Sequence, residues 1–343
     1  MRVLFETTHP AHVHCFKNTM WNLQKEGHEV FVAAKDKEVT LDLLDKYGFN
    51  YEVIGPNHKN LLKKAIGLLK ADYRLLQIAR KFQPDILVGR GSPSMAHLSL
   101  LTRKPYIALI DTENAHLVGW LSSPFATAIC ASTSYQGKID PKKEVRFDGY
   151  KELAYLHPNY FKPDPEVLDH LGLAEGERFT IVRFVGWGAT HDIKDYGFSN
   201  KSEVVKELSK YSRVFISSEI ELPGELEEYR VNIPPEKMHH LLYYADLFIG
   251  ESATMATESA ILGTPAIFVS TSRRGYTDEL EEKYDLMYTY SDPEDAQAKA
   301  VEKAIELLIN KNTNEEWQKK RKALLEDKID VTRFLTDFIE ARI

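Results

Sequence analysis

Ser252, Thr254 and Glu258 have the types and spacing to hold a nucleoside diphosphate. They lie in the run Ala245-Asp-Leu-Phe-Ile-Gly250-Glu-Ser-Ala-Thr254-Met-Ala-Thr-Glu258-Ser-Ala-Ile-Leu-Gly263-Thr-Pro265-Ala-Ile-Phe-Val269. The apolar Leu247 to Gly250 predicts a strand ended by glycine, and Ser252 and Thr254 fall where the next helix begins. Hydroxyls there cap free N–H groups, and the helix dipole attracts an anion. Glu258 follows less than two helical turns later, where a carboxylate could accept from two ribose hydroxyls. The competing reading is an N-capped core helix with a surface glutamate.

A second group follows the first expected strand: Thr7, Thr8, His9, His12 and His14, on a turn ahead of a helix expected to start near Cys15. Histidine titrates near neutrality, so His12 could take a proton from an acceptor hydroxyl. Capping and packing histidines, or a metal held by His9, His12 and His14, are the alternatives. Asp111, Glu113 and His116 come straight after the apolar Tyr106 to Ile110 and should emerge at that strand's carboxyl end. The alternative has Asp111 capping the next helix and Glu113 in solvent. Arg183, near the end of Phe179 to Phe184 and ahead of the Gly186-Trp-Gly188 turn and His191-Asp192, could neutralise charge on a departing diphosphate. Arg90, Arg273 and Arg274 are weaker candidates for that role. No Asp-x-Asp triplet follows a strand, so neither a metal nor a cofactor is expected beyond the substrate itself.

The elements that must position these residues alternate strand and helix twice. In the first half the strands are Val3 to Glu6, Val30 to Ala34, Tyr51 to Ile54, Ile86 to Gly89, Tyr106 to Ile110 and Ala128 to Ala131, with helices between them, which predicts a parallel sheet covered on both faces. Residues 147 to 165 carry Gly149, Pro158, Pro163 and Pro165, the composition of a connection between domains. The second alternation has strands Phe179 to Phe184, Val214 to Ser218, Leu247 to Gly250, Ala266 to Val269 and Met287 to Tyr290. The expectation is an α/β protein with Rossmann-like domains at 1–150 and 151–343, facing across a cleft at the carboxyl ends of both sheets, the last helix packing back on the first.

Charge narrows the partners. The 343 residues sum to −7, which argues against a nucleic-acid partner needing a broad basic surface. Residues 59 to 83, however, hold seven basic side chains against Asp72 alone, with Lys63, Lys70, Arg74 and Lys81 at helical spacing. Such a stripe is either a solvated face or a peripheral contact with anionic membrane lipid. The opening Met1-Arg-Val-Leu-Phe-Glu6 reads as a strand, no membrane-spanning run is present, and Cys15 and Cys130 are too few for a disulfide framework. A cytoplasmic location is expected.

His9-Pro-Ala-His-Val-His14, Gly89-Arg-Gly-Ser-Pro93, Asp111-Thr-Glu113, Arg183-Phe184, His191-Asp192, Phe215-Ile-Ser-Ser-Glu219 and Ile233-Pro-Pro-Glu-Lys-Met238 resemble, in order and over nearly the whole chain, an uncharacterised prokaryotic domain-of-unknown-function family (354). That family is placed in the GT-B superfamily with nucleotide-sugar glycosyltransferases and non-hydrolysing UDP-N-acetylglucosamine 2-epimerases. The resemblance implies that Ser252 holds diphosphate, that Glu258 binds ribose, and that the base is met near Pro235 and Met238. The usual Gly-Gly after that serine is Ala253-Thr254 here, and Thr254 Oγ would substitute. It implies a glycosyltransferase that takes an NDP-sugar, UDP-linked by this resemblance, and hands the sugar to a glycan or lipid-linked acceptor. A 2-epimerase using carboxylates such as Asp111 and Glu113, or a non-catalytic nucleotide-sugar-binding protein, are the alternatives.

Overall fold

The computed structural model describes residues 1–56, 61–111, 113, 122–174, 176–186 and 197–342, the side chains of 61–65 excepted. The chain forms two compact units, 1–160 with 329–343, and 161–328.

The first unit is built on seven parallel strands in the order β3-β2-β1-β4-β5-β6-β7: β1 Arg2–Thr7, β2 Glu29–Asp36, β3 Tyr51–Pro56, β4 Ile86–Gly89, β5 Tyr106–Ile110, β6 Ala128–Ser132 and β7 Glu144–Phe147. Strand β4 is buried at all four positions and β5 at four of five, as a sheet covered on both faces requires. The Pro- and Gly-containing stretch after β7 packs into this unit: Tyr150 and Leu153 to Leu156 are buried. The carbonyl of Ala154 accepts from Asn18 Nδ2 at 2.8 Å and from Thr332 Oγ1. The closing helix Val331–Glu340 thereby joins the helix Pro10–Lys25, its apolar face buried at Val331, Leu335 and Ile339.

That first helix begins five residues before the start expected at Cys15. His9 takes extended backbone as its N-cap, its Nδ1 accepts the Ala11 N–H at 3.2 Å, and Pro10 supplies a pre-set φ at the first helical position. His12 and His14 are therefore in the helix and not on a turn.

The second unit carries five parallel strands in the order β12-β11-β10-β8-β9: β8 Phe179–Phe184, β9 Arg213–Ser218, β10 Leu247–Gly250, β11 Ala266–Val269 and β12 Met287–Tyr290. In each sheet the winding direction reverses once, between β1 and β4 and between β8 and β10. Ligands of open α/β sheets bind at the carboxyl ends of strands beside such a reversal. Cys15 and Cys130 are buried free thiols, and burial pushes them up to about 11 and about 12. Among the described residues no helix is long and apolar enough to cross a membrane.

Candidate functional site

At the reversal of the second sheet, Arg183 on β8 stands in register with Gly250 on β10 and Ser217 on β9. The approach is tight: a Cβ on Gly250 would lie 2.7 Å from Arg183 Cβ and 2.8 Å from its carbonyl oxygen, so glycine at this position is a packing requirement. Arg183 Nη1 donates to Ser217 Oγ at 2.7 Å, Nη2 pairs with Glu219, and Nε is buried with no hydrogen-bond partner among the described residues. The guanidinium is held at the carboxyl end of the sheet with one N–H still unsatisfied, which costs free energy unless an acceptor arrives.

Ser252 caps the helix Ala253–Leu262, its Oγ accepting the Met255 N–H at 3.3 Å from extended backbone. Helix geometry leaves the first N–H groups, those of Ala253 and Thr254, without an intrahelical acceptor. Thr254 is half-buried, and Glu258, about one turn further on, is buried. A surface position for Glu258 is thus ruled out: its Oε1 meets His239 Nε2 at 3.0 Å, both side chains 6% exposed. His239 follows Met238, the first residue of the helix Met238–Tyr244, which continues a short turn at Pro235–Lys237. The fold therefore brings the Pro235–Met238 segment and Glu258 together through one buried histidine–carboxylate contact.

Glu251, between the strand and the cap, was not singled out in the sequence. Its side chain is fully buried and accepts from Val185 N–H at 2.9 Å, Phe198 N–H at 2.8 Å and Lys201 Nζ at 3.3 Å. A Cβ on Gly197 would collide with this carboxylate. Glu251 thus ties residues 185 and 198 to the start of the site. The sequence signal was an acidic residue directly after a glycine-ended strand, a place where burial is expected and charge is costly.

At the reversal of the first sheet, Asp111 after β5 is clasped by Arg90 after β4 and by Lys151, and Lys151 also reaches Glu152 at 3.0 Å. Burial alone would raise the Asp111 carboxyl, but the Arg90 and Lys151 charges outweigh it and hold it well below the usual carboxylate range. Asp111 stays ionised, and Arg90 Nη1 is buried with no hydrogen-bond partner among the described residues. Asp111 serves this charge cluster, and the segment it was expected to cap lies outside the described residues. Glu113 is partly buried: Oε1 accepts from Gln136 N–H at 3.1 Å, and Oε2 is buried with no hydrogen-bond partner among the described residues.

His12 keeps some solvent contact, yet its surroundings are close enough that desolvation, then the positive charges of Arg90 and His9, lowers its pKa well below the ordinary value. The ring is neutral at pH 7. Its Nδ1 lies 3.3 Å from both the Thr8 N–H and Thr8 Oγ1. Accepting the N–H puts the ring proton on Nε2 and makes that nitrogen a donor, whereas donating to Oγ1 leaves Nε2 free as a base. His9 caps the helix and His14 packs against Tyr47 and Tyr155, so the three histidines do not converge. The one cluster of metal-ligand type among the described residues is Glu26, His28 and Glu340.

Of the weaker arginine candidates, Arg90 belongs to the first unit's cluster. Arg273 is paired with Asp278 and Glu281 at 2.8 and 3.0 Å, and Arg274 is the N-cap of the helix Gly275–Glu282. His116, Trp187, Gly188, His191 and Asp192 lie outside the described residues.

Solved structures of similar architecture define the class. The chain is similar to the UDP-GlcNAc 2-epimerase from Neisseria meningitidis bound to UDP-GlcNAc, with TM-score 0.69, 10% identity, and 99% of this chain and 100% of that chain covered. It is similar to the spinosyn rhamnosyltransferase SpnG complexed with spinosyn aglycone, with TM-score 0.61, 16% identity, and 99% and 100% covered. It is also similar to the glycosyltransferase VinC in complex with dTDP, with TM-score 0.64, 13% identity, and 99% of each chain covered. The protein has the GT-B fold, two Rossmann-like α/β units. Residues 1–339 match the family described as Protein of unknown function (DUF354), and the chain belongs to that family. A curated relative, Uncharacterized protein MJ0665 of Methanocaldococcus jannaschii, is 25% identical over 280 residues, 77% of this chain and 80% of that protein.

Proposed function

We propose that the protein is a metal-independent glycosyltransferase of the GT-B class that takes a nucleoside-diphosphate sugar, most simply UDP-linked, and hands the sugar to a glycan or lipid-linked acceptor. The observation that carries the reading is the second unit's convergence at one sheet reversal. The Ser252-capped helix start, the unsatisfied Arg183 Nε and the buried Glu258–His239 pair all stand there. The helix N-terminus supplies positive potential for the diphosphate. The Arg183 guanidinium adds charge where a leaving diphosphate would gain it. Glu258, oriented by His239, would accept from ribose, with the base near Met238. The acceptor is assigned to the first unit, with His12 as the base once Nδ1 exchanges the Thr8 N–H for donation to Thr8 Oγ1, which leaves Nε2 unprotonated.

One observation favours a 2-epimerase instead: Glu113 has a buried carboxylate oxygen with no partner among the described residues, suited to proton transfer at a sugar carbon. Asp111, locked between Arg90 and Lys151, is better suited to fixing charge than to moving protons. Incubation with UDP-N-acetylglucosamine in deuterated water separates the readings. A transferase without acceptor leaves C2 unlabelled; deuterium at C2 that disappears in Glu113→Gln establishes the epimerase and overturns the proposal. A purely binding protein would leave the sugar nucleotide intact under every acceptor tried.

A further inference from the structure

The helix Leu61–Phe82 is apolar on two sides. Ala71, Leu75, Ile78 and Ala79 enter the core, whereas Ile66, Leu69 and Tyr73 are 56%, 71% and 61% exposed. The last three recur at i, i+3 and i+7 and line one shallow groove with Lys70 and Arg74. The basic stripe of the sequence is therefore interleaved with an outward hydrophobic row. On the neighbouring helix Pro93–Thr102, Leu100 and Leu101 are 59% and 64% exposed.

A single contact joins the two groups. Asp72 pairs with His97 Nδ1 at 2.7 Å; Leu69 and Tyr73 lie within one turn of Asp72, and Leu100 and Leu101 within one turn of His97. Exposed apolar side chains thus stand on both of two packed helices, beside basic groups on the first, and exposed apolar surface rimmed by charge marks an interaction site.

Charge selects the partner. The helix Leu61–Phe82 holds Lys63, Lys64, Lys70, Arg74, Arg80 and Lys81 against Asp72, and Pro93–Thr102 holds no acidic residue. The side chain of Lys63 lies outside the described residues, and Lys81 is paired with Glu52 at 3.0 Å, so Lys70 and Arg74 carry the argument. A second copy meeting this face by two-fold symmetry would set the cations against each other. An anionic bilayer accepts both components, with apolar side chains and the Tyr73 ring in the interface and basic stems reaching the headgroups.

We propose that this face of the first unit rests on anionic membrane lipid, Leu69, Tyr73, Leu100 and Leu101 entering the interface and Lys70 and Arg74 meeting phosphate headgroups. The proposal needs no nucleotide and stands separately from the catalytic reading.

The test is co-sedimentation of the full chain with phosphatidylcholine vesicles, with and without phosphatidylglycerol, at low and high salt. Binding is expected only with phosphatidylglycerol and should weaken as salt rises. Lys70→Glu with Arg74→Glu should lower it at least ~10-fold. Leu69→Ser with Tyr73→Ser should lower it while keeping its salt dependence. These positions are exposed, and unchanged thermal unfolding confirms that the variants fold. No wild-type binding at low salt, or equal binding by the charge-reversed variant, overturns the proposal. So does a wild-type dimer in light scattering that the Leu69 and Tyr73 changes dissolve without any vesicle binding.

Discussion

Replacing Glu6 by Gln should remove a pH dependence built into the first sheet. Glu6 lies near the end of β1, 2% exposed, with Ser92 Oγ donating to it at 2.8 Å. Burial, opposed by the Lys35 charge and the Ser92 hydrogen bond, pushes the carboxyl up from 4.5 to about 7. The folded state thus holds this proton more tightly than the unfolded chain does. The stability Glu6 contributes is complete below about pH 4.5, declines as pH rises, and is gone above about pH 7. At about 1.4 kcal/mol per pH unit, that interval is worth about 3 kcal/mol. Glutamine keeps the shape and an acceptor for Ser92 but cannot ionise. Urea unfolding followed by circular dichroism should find Glu6→Gln about 3 kcal/mol more stable than wild type near pH 8, with the gap closing near pH 4.5. A gap that is the same at both pH values, or wider in acid, would refute the assignment of the raised carboxyl to Glu6.

Glu251→Ala should destabilise the second unit by ~3–5 kcal/mol, because two backbone N–H groups and Lys201 lose a buried charged acceptor. Glu251→Gln, which keeps one acceptor oxygen, should lose less; equal losses in urea unfolding would show that the carboxylate's hydrogen bonds are not what matters there.

Strands β4, β5, β8, β10, β11 and β12 were legible with their observed bounds because each is a run rich in apolar, β-branched or aromatic residues, set off by glycine, proline or polar residues. The Ser252 cap was legible for a related reason: a hydroxyl between a glycine-ended strand and an apolar helix has one common use. Strand β7 escaped notice because Glu144 and Arg146 alternate along it. It is an edge strand whose charges face outward, Arg146 Nε meeting Glu144 at 2.6 Å. The early start of the first helix was hidden by a histidine acting as N-cap, a role usually taken by Ser, Thr, Asn or Asp. The burial of Glu258 and Glu251 was invisible for another reason. Local pattern places a charged residue in solvent by default, and only the partners, His239 nineteen residues before Glu258 and the backbone at 185 and 198, reverse that default. Likewise Lys151 lies forty residues from Asp111, beyond the reach of any spacing argument.

Calorimetric titration of the full chain with UDP, wild type beside Glu258→Gln, tests the central claim most directly. Glutamine preserves the packing beside His239 but removes the charged acceptor, and affinity should fall by ~1–3 kcal/mol, roughly 5- to 150-fold. Wild-type protein that binds no UDP, or a variant that binds it equally well, would contradict the assignment of the second unit's sheet reversal as the nucleotide site.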